Sequence, residues 1–113
     1  MDKQIATKWI KALRSGKYKQ TRGVLFLNGR YCCLGVLQGP VLGLGDEESM
    51  QGRETLSEAA IVKAKCQGNV GMPNNFSLIR MAGTYYTSLA EANDHGCSFR
   101  RIATWIEKNW ELL

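Results

Sequence analysis

The sequence has no long apolar run and no secretory signal. A membrane-spanning helix needs about 18 or more consecutive apolar residues, and no segment of this chain approaches that length. Residues 1–4 lead into an amphipathic segment, whereas a secretory signal would continue into an apolar stretch. These absences exclude a helical membrane anchor within the chain, and we expect a protein that stays inside the cell and does not engage a membrane.

Metal-binding and disulfide patterns are also missing. The chain has one histidine and four cysteines, and the cysteines show no CxxC spacing. Cys32 and Cys33 are adjacent in a predicted strand, where their side chains would point to opposite faces and could not share one ion. Without a secretory context, reduced thiols that pack as small apolar side chains are expected. We therefore predict no metal site, no disulfide framework and no cofactor.

No linear catalytic motif is present. The sequence contains no nucleophile elbow, phosphate loop or HExxH pattern. The single histidine, His95, could pair with Asp94 or Cys97, but neighbouring residues at a helix end seldom face one another, and Asn93, Asp94 and Gly96 are better explained as capping and turn residues. Binding is therefore favoured over catalysis. A small hydrolase remains an alternative, because active sites can converge only in three dimensions.

What is present is the composition of one globular domain. The 113 residues are 44% apolar and 22% charged, and a chain of this length rarely forms two cores, so residues 1–113 are predicted to be a single domain. Asp2 is a suitable N-cap, and apolar residues recur at helical spacing up to Gly16, which predicts a helix over residues 3–15.

A β-hairpin is predicted over residues 24–37, with its turn at Asn28-Gly29. Asn-Gly favours a two-residue type I′ turn, because both central residues adopt positive φ. That turn places Phe26 opposite Tyr31. Both faces of the predicted hairpin are apolar, so either helices cover both sides or a second subunit covers one. The second arrangement would give a homo-oligomer through the hairpin.

The rest of the chain is predicted to be mainly loop and helix. Residues 38–54, rich in glycine with an acidic cluster, are typical of a long loop. Capping boxes at Thr55 and Ser88 predict short helices over residues 59–66 and from 89 to Gly96, and Ser98 caps a final helix. Residues 76–87 could form strands or helix. The predicted fold is α+β, with a small antiparallel sheet built on the hairpin and packed by the N-terminal helix and a C-terminal helix pair.

Positive charge is concentrated near the N-terminus. The formal net charge is +5, and residues 1–30 carry eight basic side chains against one acid, Asp2. This asymmetry suits an anionic partner, although a solvated basic face is also compatible with it. An aromatic ring among cations can stack on a base beside a neutralised phosphate, so a nucleotide or nucleic-acid site is predicted. Its residues would be Lys17, Tyr18, Lys19, Arg22 and Arg30.

The C-terminal helix pair is also compatible with a DNA-binding function. Ala92, Gly96 and Ile102 stand at the spacing of the small residue, turn glycine and core aliphatic of a helix-turn-helix over residues 88–107. Arg100 and Arg101 would then lie on the reading helix. An ordinary antiparallel helix pair is the other interpretation, and Glu91 and His95 favour it because the motif usually has apolar residues there.

Two segments carry a family resemblance. Residues 9–20 (WIKALRSGKYKQ), followed by 31–37 (YCCLGVL), and the tail over 89–107 resemble a widespread group of small, uncharacterised tailed-bacteriophage proteins. Arg100-Arg101 replaces a more acidic pair in that pattern. The resemblance implies a phage origin and expression in the host bacterial cytoplasm. By analogy with other small phage proteins, it also implies an accessory protein that binds a host protein or a signalling nucleotide without catalysis, in host modulation or counter-defence.

Overall fold

A computed structural model describes all 113 residues and has the predicted α+β class. The α-helices are α1 (Lys3–Arg14), α2 (Cys33–Val36), α3 (Glu47–Met50), α4 (Glu58–Ala64), α5 (Leu89–Asp94) and α6 (Phe99–Asn109). The strands are β1 (Lys19–Gln20), β2 (Phe26–Leu27), β3 (Arg30–Tyr31), β4 (Ile79–Met81) and β5 (Thr84–Tyr86). A π-helical turn spans Leu37–Val41, and a 3-10 turn spans Trp110–Leu112.

The N-terminal helix confirms the prediction over residues 3–15. Asp2 caps α1 through its carboxylate, which accepts a hydrogen bond from the Ile5 amide at 3.0 Å. Three residues at helical spacing, Ala6, Trp9 and Leu13, are buried, and the stripe that they form packs along α6. The Trp9 indole also donates to the Cys33 carbonyl at 2.9 Å, which ties α1 to α2.

The hairpin turn and its register are confirmed. Asn28 and Gly29 both have positive φ, at 49° and 82°, and Phe26 lies opposite Tyr31 in the antiparallel pair. Strand β1 pairs with β3 in parallel and completes a three-stranded sheet. The side chains of Leu25 and Phe26 are buried by other parts of the same chain, whereas Leu27 is 40% exposed.

The prediction that the second strand continues to residue 37 is wrong. After Tyr31 the chain turns into α2, whose N-cap is Cys32, and the Cys32 sulfur accepts a hydrogen bond from the Gly35 amide at 3.4 Å. All four residues of α2 are buried. A short run made almost entirely of apolar residues has the same pattern in a buried strand and in a buried helix. The sequence therefore predicted a strand where the chain forms a helix.

The loop predicted over residues 38–54 is also partly wrong, because it contains the π-helical turn and α3. Asp46 caps α3, and the Ser49 amide donates to its carboxylate at 2.8 Å, a bond that lowers the pKa of Asp46. Met50 is 1% exposed and lies against two of the glycines. A Cβ at Gly39 would fall 2.6 Å from the Met50 methyl, and one at Gly45 would fall 3.0 Å from its Cγ. These glycines permit close packing around Met50, whereas the sequence pattern predicted only a loop.

Helix α4 begins and ends earlier than predicted. Its N-cap is Ser57 and not Thr55, and the Ser57 hydroxyl accepts a hydrogen bond from the Ala60 amide at 3.2 Å. The helix ends at Ala64, and its C-cap residue Lys65 adopts the left-handed conformation at φ 56°. The buried Gln38 accounts for the shifted start, because its side-chain oxygen accepts from the Ser57 amide at 2.8 Å.

Residues 79–86, which the sequence left open, form a second antiparallel hairpin. Its turn is Ala82-Gly83, with φ of 50° and 80°. Ser88 and Ser98 cap α5 and α6 as predicted, each accepting a hydrogen bond from the amide three residues later. Helix α6 buries Ile102, Ala103 and Ile106 and leaves its other face exposed beside the second hairpin.

Asn93 joins the C-terminal helices to the first hairpin. It is fully buried, and its side-chain oxygen accepts hydrogen bonds from the Gln20 amide group at 2.8 Å and from the Cys33 backbone amide at 3.1 Å. Its NH2 group donates to the Thr21 carbonyl at 2.8 Å. The sequence had suggested a capping and turn role for Asn93, so this structural role is a correction.

The four cysteines are free thiols, and three of them are buried. Burial raises the pKa of Cys32 to about 11 and that of Cys33 well above its usual value, so both are protonated at neutral pH. Their predicted placement in a strand is wrong, because Cys32 caps α2 and Cys33 is its first residue. No group of three or more His, Cys, Asp or Glu side chains is placed to hold a metal ion, and none of the helices is long and apolar enough to span a membrane.

Candidate anion-binding surface

Most of the positive charge on this protein is not neutralised within the chain. The only ion pair is Arg14–Glu107, at 2.9 Å, so every other lysine and arginine lacks a carboxylate within 4.0 Å. Mutual hydrogen bonding lowers the pKa of Glu107 and raises that of Arg14. Surface cations that have no internal partner remain available to an external anion.

Four of these cations line one groove between the second hairpin and α6. This groove has a volume of about 380 Å³, and we call it the hairpin groove. Its walls include one half-buried aromatic ring, Trp105, and no acidic residue. The cations are Arg80, Arg100, Arg101 and Lys108.

Local structure explains why these side chains converge. Arg100 and Lys108 are two helical turns apart and lie on the exposed face of α6, opposite the buried Ile102. Arg80 alternates with buried neighbours in β4, so its side chain points to the open face of the hairpin. The Arg80 guanidinium also lies 5.9 Å from the ring centroid of Tyr85, its cross-strand partner, a cation–π contact that restrains it at the groove.

The chemistry of this groove suits an anion with several oxygens. Arginine guanidinium groups present paired N–H donors that match the oxygens of a phosphate, and lysine adds a compact charge. Neighbouring cations repel one another when the groove is empty, and a bound anion would relieve that repulsion. Trp105 supplies an aromatic surface next to the charges.

Two further basic grooves border α1. The helix groove, of about 640 Å³, lies between α1 and the C-terminal end of α6, and its walls include Lys3, Lys11, Arg14, Glu107 and Trp110. The lysine groove, of about 270 Å³, lies between α1 and the π-helical turn, and its walls include Lys8, Lys11, Lys17, Tyr18 and Pro40.

The structure keeps most of the patch that the sequence predicted near the first hairpin together but places Arg22 apart. Lys17 and Tyr18 lie in the lysine groove, while Lys19 and Arg30 are register partners on adjacent strands. Arg22 is elsewhere, at the turn between α5 and α6, where a Cβ on Gly96 would be 3.0 Å from its guanidinium. Tyr18 is oriented by an edge-to-face contact with Tyr31, with ring centroids 5.4 Å apart.

Arg100 and Arg101, in contrast, lie together in the hairpin groove as neighbours on α6. The sequence prediction missed three of their companions, Arg80, Trp105 and Lys108. Lys108 could have been found from its spacing of eight residues from Arg100 on one helix face. Arg80 could not, because residues 76–87 were ambiguous between strand and helix.

The helix-turn-helix positions do not decide between a DNA-reading motif and an ordinary helix pair. Ala92 and Ile102 are fully buried and Gly96 has φ of 94°, which both interpretations require. A catalytic pair of His95 and Cys97 is not assembled. The His95 ring packs on Tyr86 at 5.8 Å between centroids, and a hydrogen bond with the buried Cys97 raises the pKa of Tyr86.

A protein-family model matches residues 1–110, and its description is a domain of unknown function, DUF8296. The chain belongs to the DUF8296 family. The match includes every residue that lines the three grooves of this DUF8296 chain. No curated protein and no solved structure matches the chain.

Proposed function

We propose that this protein binds phosphate-bearing ligands without chemical turnover, and that the hairpin groove holds the phosphate. The observation that supports this proposal is the convergence of four cations in one concave site that has no acidic residue and no internal ion pair. Each hydrogen bond between a charged donor and a phosphate oxygen contributes roughly 1.5–3 kcal/mol. Trp105 could stack on a base attached to that phosphate.

A binding role fits this groove better than a catalytic one. Its walls hold no carboxylate, histidine or cysteine that could act as a general base or nucleophile. The hydroxyl of Thr104 donates to the Arg100 carbonyl at 3.0 Å, so it already has a partner within α6. A small hydrolase therefore has no residue in this groove to support it.

The cellular part of the proposal rests on the resemblance to small phage proteins. We propose an accessory protein that acts in the host bacterial cytoplasm, where binding a signalling nucleotide or another phosphate-bearing host component would modulate the host or counter its defences. Purified protein should remove such a nucleotide from solution reversibly and return it intact on denaturation. Recovery of a chemically altered nucleotide would indicate an enzyme and would contradict the proposal.

The binding site is tested by replacing two arginines of the hairpin groove. In Arg100→Ala/Arg101→Ala, two of four cations are lost from exposed positions, so the fold should persist. Affinity for ATP should fall by about 100-fold or more, because each lost charged hydrogen bond of roughly 1.5 kcal/mol or more weakens binding by about tenfold or more. Isothermal titration calorimetry with ATP and with inorganic pyrophosphate would measure the loss and separate the phosphate contribution from that of the base.

The matched control is Arg53→Ala/Lys65→Ala. Both residues are exposed and lie outside the three grooves and outside the patch predicted from the sequence, so this variant has the same net charge as the groove variant. We expect its affinity to stay within about threefold of the unmodified protein, because distant surface charges are screened. Equal losses in the two variants would mean that net charge alone attracts the ligand, and the groove proposal would fail.

A further inference from the structure

Each of the three basic grooves contains one half-buried aromatic side chain. Trp105 lies in the hairpin groove, Trp110 in the helix groove and Tyr18 in the lysine groove. The grooves together are lined by nine lysine or arginine side chains and by one acid, Glu107, which Arg14 already pairs. Aromatic rings interleaved with cations are the pattern by which proteins hold unpaired bases and their phosphates.

The grooves are also connected. Arg14, in the wall of the helix groove, reaches Thr104 of the hairpin groove with 3.5 Å between Nη2 and Oγ1. Lys11 and Ser15 belong to both the helix groove and the lysine groove. A strand-like ligand that extends out of the hairpin groove would therefore contact the interface between α1 and α6, and then the exposed face of α1.

We infer that the three grooves form one track for single-stranded nucleic acid, running from the hairpin groove across α1 to the lysine groove. This inference deepens the proposed function and rests on it, since the hairpin groove would hold the first phosphates of the strand. A mononucleotide would occupy only one groove, which leaves the cations of the other two without a ligand. A duplex keeps its bases stacked on one another, so it could not use the three rings.

Length dependence is the property that distinguishes a track from a single site. Fluorescence anisotropy with labelled oligothymidylates of roughly 2–16 nucleotides, a range that covers typical single-strand sites, should show affinity rising with length and then reaching a plateau. Tryptophan emission should be quenched by the longer strands, because bases would stack on Trp105 and Trp110. The quenching should disappear in Trp105→Phe/Trp110→Phe, which keeps aromatic packing at both positions and leaves only the buried Trp9 to emit.

The distal part of the track is tested with Lys8→Ala/Lys17→Ala. Both side chains are exposed and line only the lysine groove, so this variant should bind ATP like the unmodified protein. Its affinity for the longest oligothymidylate should fall by about tenfold or more. The slope of log affinity against log salt should become shallower by about 1.4, since two single-strand phosphate contacts are lost. Arg53→Ala/Lys65→Ala is again the control of equal charge and should retain the long-strand affinity within about threefold.

The possible outcomes separate the inference from the proposed function. If ATP binds but affinity does not grow with strand length, the track is overturned and the hairpin groove stands. If neither ATP nor any oligothymidylate binds, both fail. Tighter binding to a duplex of the same length than to the single strand would also overturn the track, and would favour reading of duplex DNA by Arg100 and Arg101 on α6.

Discussion

Gly35→Ala is expected to prevent the chain from folding. An ideal Cβ at Gly35 would fall on the Leu25 carbonyl group, with the Leu25 carbonyl carbon only 2.8 Å away. Backbone cannot rotate aside as a flexible side chain can. Leu25 is also held on both sides, because its amide donates to the Arg53 carbonyl at 2.6 Å and its oxygen accepts from the Cys32 amide at 3.1 Å.

The cost of Gly35→Ala should be a large part of the total stability. Overpacking against adaptable side chains already costs about 1–3 kcal/mol, and a typical domain has only about 5–15 kcal/mol of stability. Urea denaturation followed by circular dichroism should show either no cooperative transition or a free energy of unfolding several kcal/mol below that of the unmodified protein. The control is Gly68→Ala, because Gly68 has no positive φ and no atom within 4 Å of its ideal Cβ.

Gly68→Ala should stay within about 0.5 kcal/mol of the unmodified protein. If Gly35→Ala unfolds at the same urea concentration as Gly68→Ala, then α2 does not lie against Leu25 as described. The helical assignment of residues 33–36 would then be contradicted, and the strand predicted there from sequence would regain support.

Asn93→Ala is expected to cost about 3–5 kcal/mol of unfolding free energy. Truncation removes the partners of three polar groups in or near the core, the Cys33 amide, the Gln20 side-chain amide and the Thr21 carbonyl. Each buried group left without a partner costs about 1–3 kcal/mol. Asn69→Ala is the control, since Asn69 is exposed and should lose less than about 0.5 kcal/mol.

A double-mutant cycle would show whether Asn93 acts through the contacts described. The Gln20 amide donates both to Asn93, at 2.8 Å, and to the Cys97 carbonyl, at 2.7 Å. Asn93→Ala/Gln20→Ala should therefore cost less than the sum of the single variants, because the polar group left unpaired by the first change is removed by the second. Strict additivity would contradict a direct bond between them.

Features fixed by neighbouring residues could be predicted from the sequence. The Asn28-Gly29 turn determines its own register, and Ser88 and Ser98 cap their helices through amides three residues later. The role of Asn93 could not be predicted, because its partners Gln20 and Cys33 are 73 and 60 residues away in the chain. An asparagine three residues before a glycine, near the end of a short helix, looks like a capping or turn residue until its tertiary partners are known.

Glycine was the most misleading residue type. Gly35 was assigned to a strand and Gly39 and Gly45 to a loop, yet each lies where a Cβ would meet Leu25 or Met50. Close approach depends on tertiary packing, which periodicity does not encode. This explains why α2, the π-helical turn and α3 were missed.

The candidate site was predictable only in part. Arg100 and Arg101 are consecutive residues, so they lie close together in any helix over this segment, and both line the hairpin groove. Arg80 is brought next to them only because residues 79–86 fold into the second hairpin, which the sequence did not predict uniquely. In the predicted patch from Lys17 to Arg30, the parallel pairing of β1 with β3 brings Lys19 beside Arg30, whereas the Arg22 side chain lies apart, next to Gly96.

The most direct test of the hairpin groove is a proton–nitrogen correlation spectrum of the arginine and tryptophan side chains, recorded while a short oligothymidylate is added. We predict that the signals of Arg80, Arg100, Arg101 and the Trp105 indole shift together in a saturable way, while that of Arg53 does not move. Shifts confined to Arg22 and Arg30, or no saturable shift in the groove residues, would contradict the account.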